Sequence, residues 1–154
     1  SLAEVHFNLG LALAAKGRGA EALRHHAEAV RLDPENAEAQ LNLGIALGVA
    51  GRLPDAVAHL TQAARLRPDS AQIHANLAVA LTESGRPAEA LPHYEKAVSL
   101  APDDPQAHCN LAYALLVARR PAEARTHLET ALRLQPGFPP ARALLREAFG
   151  IDPP

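Results

Sequence analysis

Four asparagines recur at intervals of 34 residues, each inside a variant of one phrase with NLG or NLA at its centre: Asn8, Asn42, Asn76 and Asn110. An asparagine side chain offers one hydrogen-bond acceptor and two donors, so it can bond both the N–H and the C=O of a peptide backbone. The chemistry indicated is recognition through hydrogen bonds. The alternative is that each amide bonds a neighbouring helix or turn and fixes the register of the repeats, since buried polar groups are normally satisfied.

A histidine column follows the same spacing: His25, His59, His93 and His127. Zinc ligands lie about 2.0–2.1 Å from the metal, whereas adjacent helices pack about 8–10 Å apart, so one metal cannot join the column. We predict that these imidazoles wedge between neighbouring repeats and that His6 approaches His26 within one helix pair. No metal site is predicted. Because partly buried neutral histidines oppose protonation, the pattern also predicts a loss of stability near pH 6.

Other reactive residue types have contexts that argue against catalysis. Cys109 has no activating base on its own helix face, so it is not predicted to be a nucleophile. Gly17-Arg18-Gly19 follows a helix rather than a strand and lacks the lysine of a phosphate loop. The chain contains no triad, carboxylate pair or cofactor fingerprint. We therefore predict that this segment is not an enzyme and takes no cofactor.

Composition limits the class of partner and of fold. The chain has 154 residues, 48% of them hydrophobic but only 3% aromatic, and a formal net charge of −2. This balance provides no basic surface for nucleic acid, and the sequence lacks an apolar run of about 18 residues that would insert in a bilayer. A single cysteine excludes an internal disulfide framework and favours a reducing, cytoplasmic setting. Met is absent and the chain opens at Ser1, which suggests a segment of a longer protein.

The 34-residue period predicts the architecture. It divides the chain into repeat 1 (3–36), repeat 2 (37–70), repeat 3 (71–104) and repeat 4 (105–138), with ten columns identical in all four copies. Each repeat has apolar residues at helical spacing in two halves, separated by Gly17, Gly51, Gly85 or, in repeat 4, Arg119. Because Arg119 replaces a glycine, its turn should be strained or differently shaped. Residues 139–150 are predicted to form a capping helix, followed by a tail at 151–154.

These columns identify a resemblance to a known family. Asn8-Leu9-Gly10, with Ala22, Ala29 and Pro34 at their spacings in a 34-residue unit, resembles the tetratricopeptide repeat (TPR). The resemblance implies an all-α, right-handed α-solenoid of antiparallel helix pairs whose first helices line a concave groove. The family's large aromatic early in the first helix is replaced here, by the column His6, Gln40, His74 and His108.

The same family geometry implies which side chains face the groove. They are the four asparagines and a set of larger apolar residues: Phe7, Leu41, Ile45, Val79 and Tyr113. With helices about 8–10 Å apart and an extended chain advancing about 3.3 Å per residue, successive amides would contact roughly every third residue of a ligand. The subgroup that clamps the terminal carboxylate of chaperones needs basic residues where Phe7, Gln72 and Asn76 lie, so that partner is excluded.

Three functions remain open from the sequence. The first is a non-catalytic protein–protein interaction module that binds an extended peptide. The second is the substrate-docking array of a larger enzyme, because the asparagine ladder resembles the channel of O-linked N-acetylglucosamine transferases. The third is a self-assembling scaffold whose groove receives a terminus of another copy, for which Gly150-Ile151-Asp152-Pro153-Pro154 is a candidate.

Overall fold

The computed structural model describes residues 1–151, and these form nine α-helices joined by short turns. The helices are α1 (Leu2–Ala15), α2 (Gly19–Leu32), α3 (Ala37–Val49), α4 (Leu53–Leu66), α5 (Ala71–Glu83), α6 (Pro87–Leu100), α7 (Pro105–Val117), α8 (Pro121–Leu134) and α9 (Pro139–Phe149). Of the tail predicted at 151–154, residues 152–154 lie outside the described part of the chain.

The helices are arranged in consecutive pairs. Each of α1, α3, α5 and α7 packs most extensively on the helix that follows it, and the second helix of each pair packs on the first helix of the next. The last helix, α9, packs on α8 and α7. One apolar cluster, built mainly from Leu and Ala, extends from α2 to α9. The observed architecture is the all-α helix-turn-helix array that the sequence predicts.

The starts of the helices explain why the pairs have sharp boundaries. The first helix of every pair is preceded by a residue whose side chain accepts a hydrogen bond from a backbone N–H of the first turn; these are Ser1, Asn36, Ser70 and Asp104. Such caps satisfy amide groups that otherwise have no partner. The second helices of repeats 2–4 instead carry proline at their first or second position, where no N–H is needed.

The turn inside each pair requires a left-handed residue. Gly17, Gly51 and Gly85 have φ of 71°, 74° and 74°, and Arg119 occupies the same place with φ of 58°. In every repeat the next amide bonds the carbonyl five residues back, as between Arg120 and Leu115. The turn of repeat 4 is therefore strained but not differently shaped.

Small residues let the two helices of a pair approach closely. Ala56 in α4 is fully buried, and a Cβ placed on Gly44 in α3 would lie 2.6 Å from Leu60 Cγ. Such a contact is too short for any carbon side chain, so the glycine is needed for this separation of α3 and α4. Within residues 1–151, no helix has the length and apolar character needed to cross a membrane.

Candidate binding groove

The four asparagines lie in the second turn of the first helix of their pairs. Asn42 Nδ2 donates to the Glu38 carbonyl and Asn76 Nδ2 to the Gln72 carbonyl, both at 2.8 Å. Asn110 Oδ1 accepts from Gln106 Nε2 at 2.7 Å, and Asn8 is exposed. These bonds run along a single helix and do not link one repeat to the next. The amides of Asn42 and Asn76 keep a second N–H and an Oδ1 that have no partner among the described residues.

The apolar residues predicted for the groove are exposed to different degrees. Val79 and Tyr113 are 38% and 47% exposed, and Phe7 and Ile45 are partly buried. Leu41 is 1% exposed and belongs to the core, so its assignment to the groove surface is wrong. Cys109, at the equivalent position of repeat 4, is also buried at 3%. Stacking covers this position in both repeats, which sequence spacing alone does not reveal.

The histidine column was predicted to wedge between neighbouring repeats, but its side-chain hydrogen bonds lie within single repeats. Each member instead meets a polar residue of its own repeat, 19 positions earlier. His93 Nδ1 lies 3.0 Å from His74 Nδ1, and His127 Nδ1 lies 2.9 Å from His108 Nδ1. The centroids of the His74 and His93 rings are 5.3 Å apart, so the rings meet edge to edge through their nitrogens. The pairs therefore join the two helices of one repeat.

The connection to the preceding repeat comes from the first-helix partner. His74 Nε2 lies 3.0 Å from the Pro68 carbonyl, and His108 Nε2 lies 2.9 Å from the Pro102 carbonyl. A carbonyl can only accept, so Nε2 carries the proton and Nδ1 of the neutral ring is the acceptor. His93 and His127 must then donate from Nδ1.

Gln40 makes the same connections in repeat 2 with an amide. Its Nε2 donates to the Pro34 carbonyl at 2.8 Å, and its Oε1 accepts from His59 Nδ1 at 2.8 Å. Gln40, His74 and His108 are all nearly fully buried. The residues that replace the family's aromatic thus form a hydrogen-bonded bridge from one repeat to the turn before it, named here the proline bridge.

Repeat 1 departs from this arrangement. His6 pairs with His25 at 2.9 Å between Nδ1 atoms, rather than with His26 as predicted. His26 is 2% exposed and packs on Gly10, where an added Cβ would lie 2.6 Å from its ring. Its Nδ1 is buried without a hydrogen-bond partner, a rare condition for a buried polar atom. Burial, followed by the nearby His25, lowers the pKa of His26, so its imidazole is neutral at pH 7.

Burial also shifts the pKa values of several other groups in the stack. It is the main cause that lowers the pKa of His59, His93 and His127. It raises the pKa of the Cys109 thiol to about 11, which makes a thiolate nucleophile at neutral pH unfavourable. Within the described part of the chain, no three histidine, cysteine or carboxylate side chains are grouped so that they could hold a metal ion.

The arginines that precede the second helices are exposed to solvent. Each forms an ion pair with an acidic residue three positions later, for example Arg86 with Glu89 at 2.7 Å. Both members of every such pair are exposed; the others are Arg18–Glu21, Arg52–Asp55 and Arg120–Glu123. Exposed pairs of this kind contribute only about 0–1 kcal/mol. They do not form a binding stripe of free cations.

Two clefts that were not predicted open beside the asparagines. One, between repeats 1 and 2, has a volume of about 560 Å³ and includes Asn42, Ile45 and His26 in its walls. The other, between repeats 2 and 3, has a volume of about 210 Å³ and includes Asn76 and Val79. Ile45 and Val49, both in α3, border both clefts. The signal for the larger cleft was the pair of small residues Gly19-Ala20.

The sequence matches models described as tetratricopeptide repeat over residues 7–71, 41–105 and 81–148. No curated protein matches the chain.

Solved structures with the same arrangement of helices include MamA and YrrB. MamA 41-end from Desulfovibrio magneticus RS-1 is 26% identical, with a TM-score of 0.80 over 88% of this chain and 77% of its own. A second MamA crystal structure is 23% identical, with a TM-score of 0.84 over 97% of this chain and 83% of its own. YrrB, titled a TPR protein with an unusual peptide-binding site, is 21% identical, with a TM-score of 0.77 over 93% and 76%.

Proposed function

Because the chain belongs to the tetratricopeptide repeat family, we propose that it is a non-catalytic interaction module that binds an extended peptide along the first helices of its repeats. YrrB shows that this fold can carry a peptide-binding site. The observation that carries the proposal is the row of asparagines beside partly exposed apolar side chains. Amide groups recognise any peptide backbone, while Phe7, Ile45, Val79 and Tyr113 select apolar side chains.

The hydrogen-bonding capacity of the amides supports this use. Asn42 and Asn76 each donate one N–H to their own helix, which holds the side chain in a fixed orientation. The remaining N–H and Oδ1 match the C=O and N–H of an extended backbone. An amide already held in place loses less side-chain entropy on binding than a free one.

The test is a double variant, Asn42→Ala with Asn76→Ala, in the whole chain. Peptides are first selected from a library of unstructured sequences, and their affinity is then measured by titration calorimetry for both proteins. We expect a loss of about 10-fold or more, because the two amides together offer the peptide four hydrogen bonds of about 0.5–1.5 kcal/mol net each. Thermal melting should change little.

A matched control exists on α8. Thr126 and Thr130 also donate to carbonyls four residues back in their own helix, but on the second helix of a pair. Replacing both with Ala removes bonds of the same kind away from the asparagines and should leave peptide affinity unchanged. If the asparagine variant melts at a lower temperature yet binds peptide normally, the amides serve the scaffold and the proposal is wrong. Light scattering over a concentration series distinguishes self-assembly from capture of a foreign peptide.

A further inference from the structure

The first helices of the repeats carry charge of one sign only. No lysine or arginine lies in α1, α3, α5 or α7, whereas α2, α4, α6 and α8 each hold at least one. The acids of the first helices are Glu4, Glu38 and Glu83, each four or seven positions from an asparagine and so on the asparagine face. Glu4 pairs with the amino group of Ser1, and Glu38 pairs with Arg67. Glu83 forms no ion pair within residues 1–151, so its carboxylate is available to a cation.

Glu83 borders the smaller cleft, between repeats 2 and 3, and is exposed to solvent. It is the last residue of α5 and follows Asn76 by seven positions, which is about 10 Å along the helix axis. Between these two polar groups the wall is apolar and includes Val79 of α5 and Val49 of α3. Val49 is 86% exposed, the largest fraction among the exposed large apolar residues of the described chain. The cleft therefore has an amide and a carboxylate two helical turns apart, with aliphatic carbon between them.

The end of α5 adds to the negative potential at Glu83. The carbonyl groups in the last turn of a helix carry the partial negative charge of its dipole, which favours cations and disfavours acids there. The last turn of α5 has no basic residue that would offset this charge. A cation beside Glu83 is therefore attracted both by the carboxylate and by the end of the helix.

We infer, on the basis of the proposed function, that this cleft receives the side chain of a lysine or arginine in the bound peptide, whose cationic group pairs with Glu83. The aliphatic stem of a basic side chain lies along apolar surface while its charged end stays in water, which matches Val49 and Val79 beside an exposed carboxylate. A peptide held at Asn76 places such a stem in reach of Glu83. An acidic side chain would be repelled, and a neutral one would leave the carboxylate without a partner beneath the peptide.

The experiment is a selection from a library of random, unstructured short peptides, carried out against the whole chain and against its Glu83 variants. We expect the peptides selected by the unmodified chain to be enriched in lysine and arginine at one position. Glu83→Gln should abolish this enrichment, and Glu83→Lys should replace it with a preference for aspartate and glutamate. Selected peptides without a basic preference, or an unchanged preference in Glu83→Gln, would overturn the inference.

The affinity of one selected peptide gives the size of the effect. Norleucine in place of its basic residue keeps an aliphatic stem and removes the charge. We expect this change to weaken binding to the unmodified chain roughly 2- to 10-fold, as a partly solvated ion pair provides. With Glu83→Gln the two peptides should bind equally. Added salt should weaken the basic peptide on the unmodified chain and have little effect on Glu83→Gln.

Asp69→Asn is the matched control. Asp69 lies in the turn before α5, at the opposite end of that helix from Glu83, and it borders neither cleft. Its replacement changes the net charge by the same amount and should leave the basic preference and the salt dependence unchanged. Both residues are exposed, so both variants should fold, and thermal melts verify this. If Asp69→Asn removes the preference as strongly as Glu83→Gln, net charge is the cause and the inference is wrong.

Failure of this inference is distinct from failure of the proposed function. Selected peptides that depend on Asn42 and Asn76 but show no basic preference would support the groove and reject the pairing with Glu83. If no peptide is selected, or if binding ignores both asparagines, the proposed function fails and this inference fails with it.

Discussion

Repeats 1 and 2 differ at the position where their paired helices come closest. In repeat 2, Leu60 packs on Gly44, and in repeat 1, His26 packs on Gly10. Both side chains are 2% exposed, so burial is the same. Leu60 has no polar side-chain atom that needs a hydrogen bond, whereas His26 Nδ1 is buried without one. Equal burial therefore has opposite energetic consequences in the two repeats, and the unfavourable one lies beside the larger cleft.

This difference gives repeat 1 a local cost in stability that repeat 2 does not have. A buried polar atom without a partner costs about 1–3 kcal/mol, and such local violations are expected at functional sites. The later repeats place Leu or Tyr at the same position, so the fold itself does not require an imidazole there.

The largest expected effect comes from shortening the side chain to alanine at each of these two positions in separate variants. Leu60→Ala should lower the free energy of unfolding by about 2–5 kcal/mol, because it leaves a cavity in the core. His26→Ala should cost clearly less, because it also removes an unsatisfied nitrogen. Urea denaturation of both variants measures the difference. Equal losses would mean that His26 has a partner in solution and that the two repeats do not differ in this respect.

The opposite change should stabilise the protein. His26→Leu keeps most of the buried volume and removes the unpaired nitrogen, so we expect a gain of about 1–3 kcal/mol. Tyr94→Leu is the matched control, because the Tyr94 hydroxyl lies 3.4 Å from Thr82 Oγ1 and its removal should bring no gain. A lower urea midpoint for His26→Leu than for the unmodified chain would contradict the comparison.

Lowering the pH should destabilise the folded chain, and His26 should contribute to that loss of stability. Burial lowers the pKa of His26, His59, His93 and His127 in the folded chain, whereas in the unfolded chain each has its ordinary value near 6.5. The unfolded state therefore binds more protons below about pH 6.5, and stability falls as the pH drops through that value. Thermal melts between pH 8 and 5 measure the slope, and His26→Leu should make it shallower. A melting temperature that stays flat across this range would contradict the assignment of lowered pKa values.

The smallest expected effect concerns the turn of repeat 4. Arg119 has a left-handed backbone where the other repeats have glycine, so Arg119→Gly should raise stability by about 0.5–1 kcal/mol. Gly85→Arg, at the same place in repeat 3, should lower it by a similar amount. Urea midpoints that move in the same direction for both variants would show that backbone strain is not the cause.

Periodicity was sufficient for the architecture but not for side-chain partners. The 34-residue spacing and the turn residues predicted paired helices. The turn at Arg119 was expected to be strained or differently shaped, and it keeps the left-handed backbone of the other repeats. Leu41 was misplaced because spacing gives the face of a helix but not how far the next repeat covers it. The histidine pairs were misassigned because contacts 19 residues apart depend on the rotation of α2 against α1. The sequence signal for these pairs was two repeat positions, 19 residues apart, that hold only polar residues in all four repeats.

The proline bridge has a consequence for how such a chain can lengthen. Each bridge begins in one repeat and ends on the turn of the repeat before it, through Gln40 to Pro34, His74 to Pro68 and His108 to Pro102. If an extra copy of repeat 3 were inserted after Ser70, its first-helix histidine would bond the Pro68 carbonyl. The carbonyl of its own last proline would accept a hydrogen bond from the repeat that follows. Gene duplication can thus extend this protein by whole units that keep this hydrogen bond at each junction.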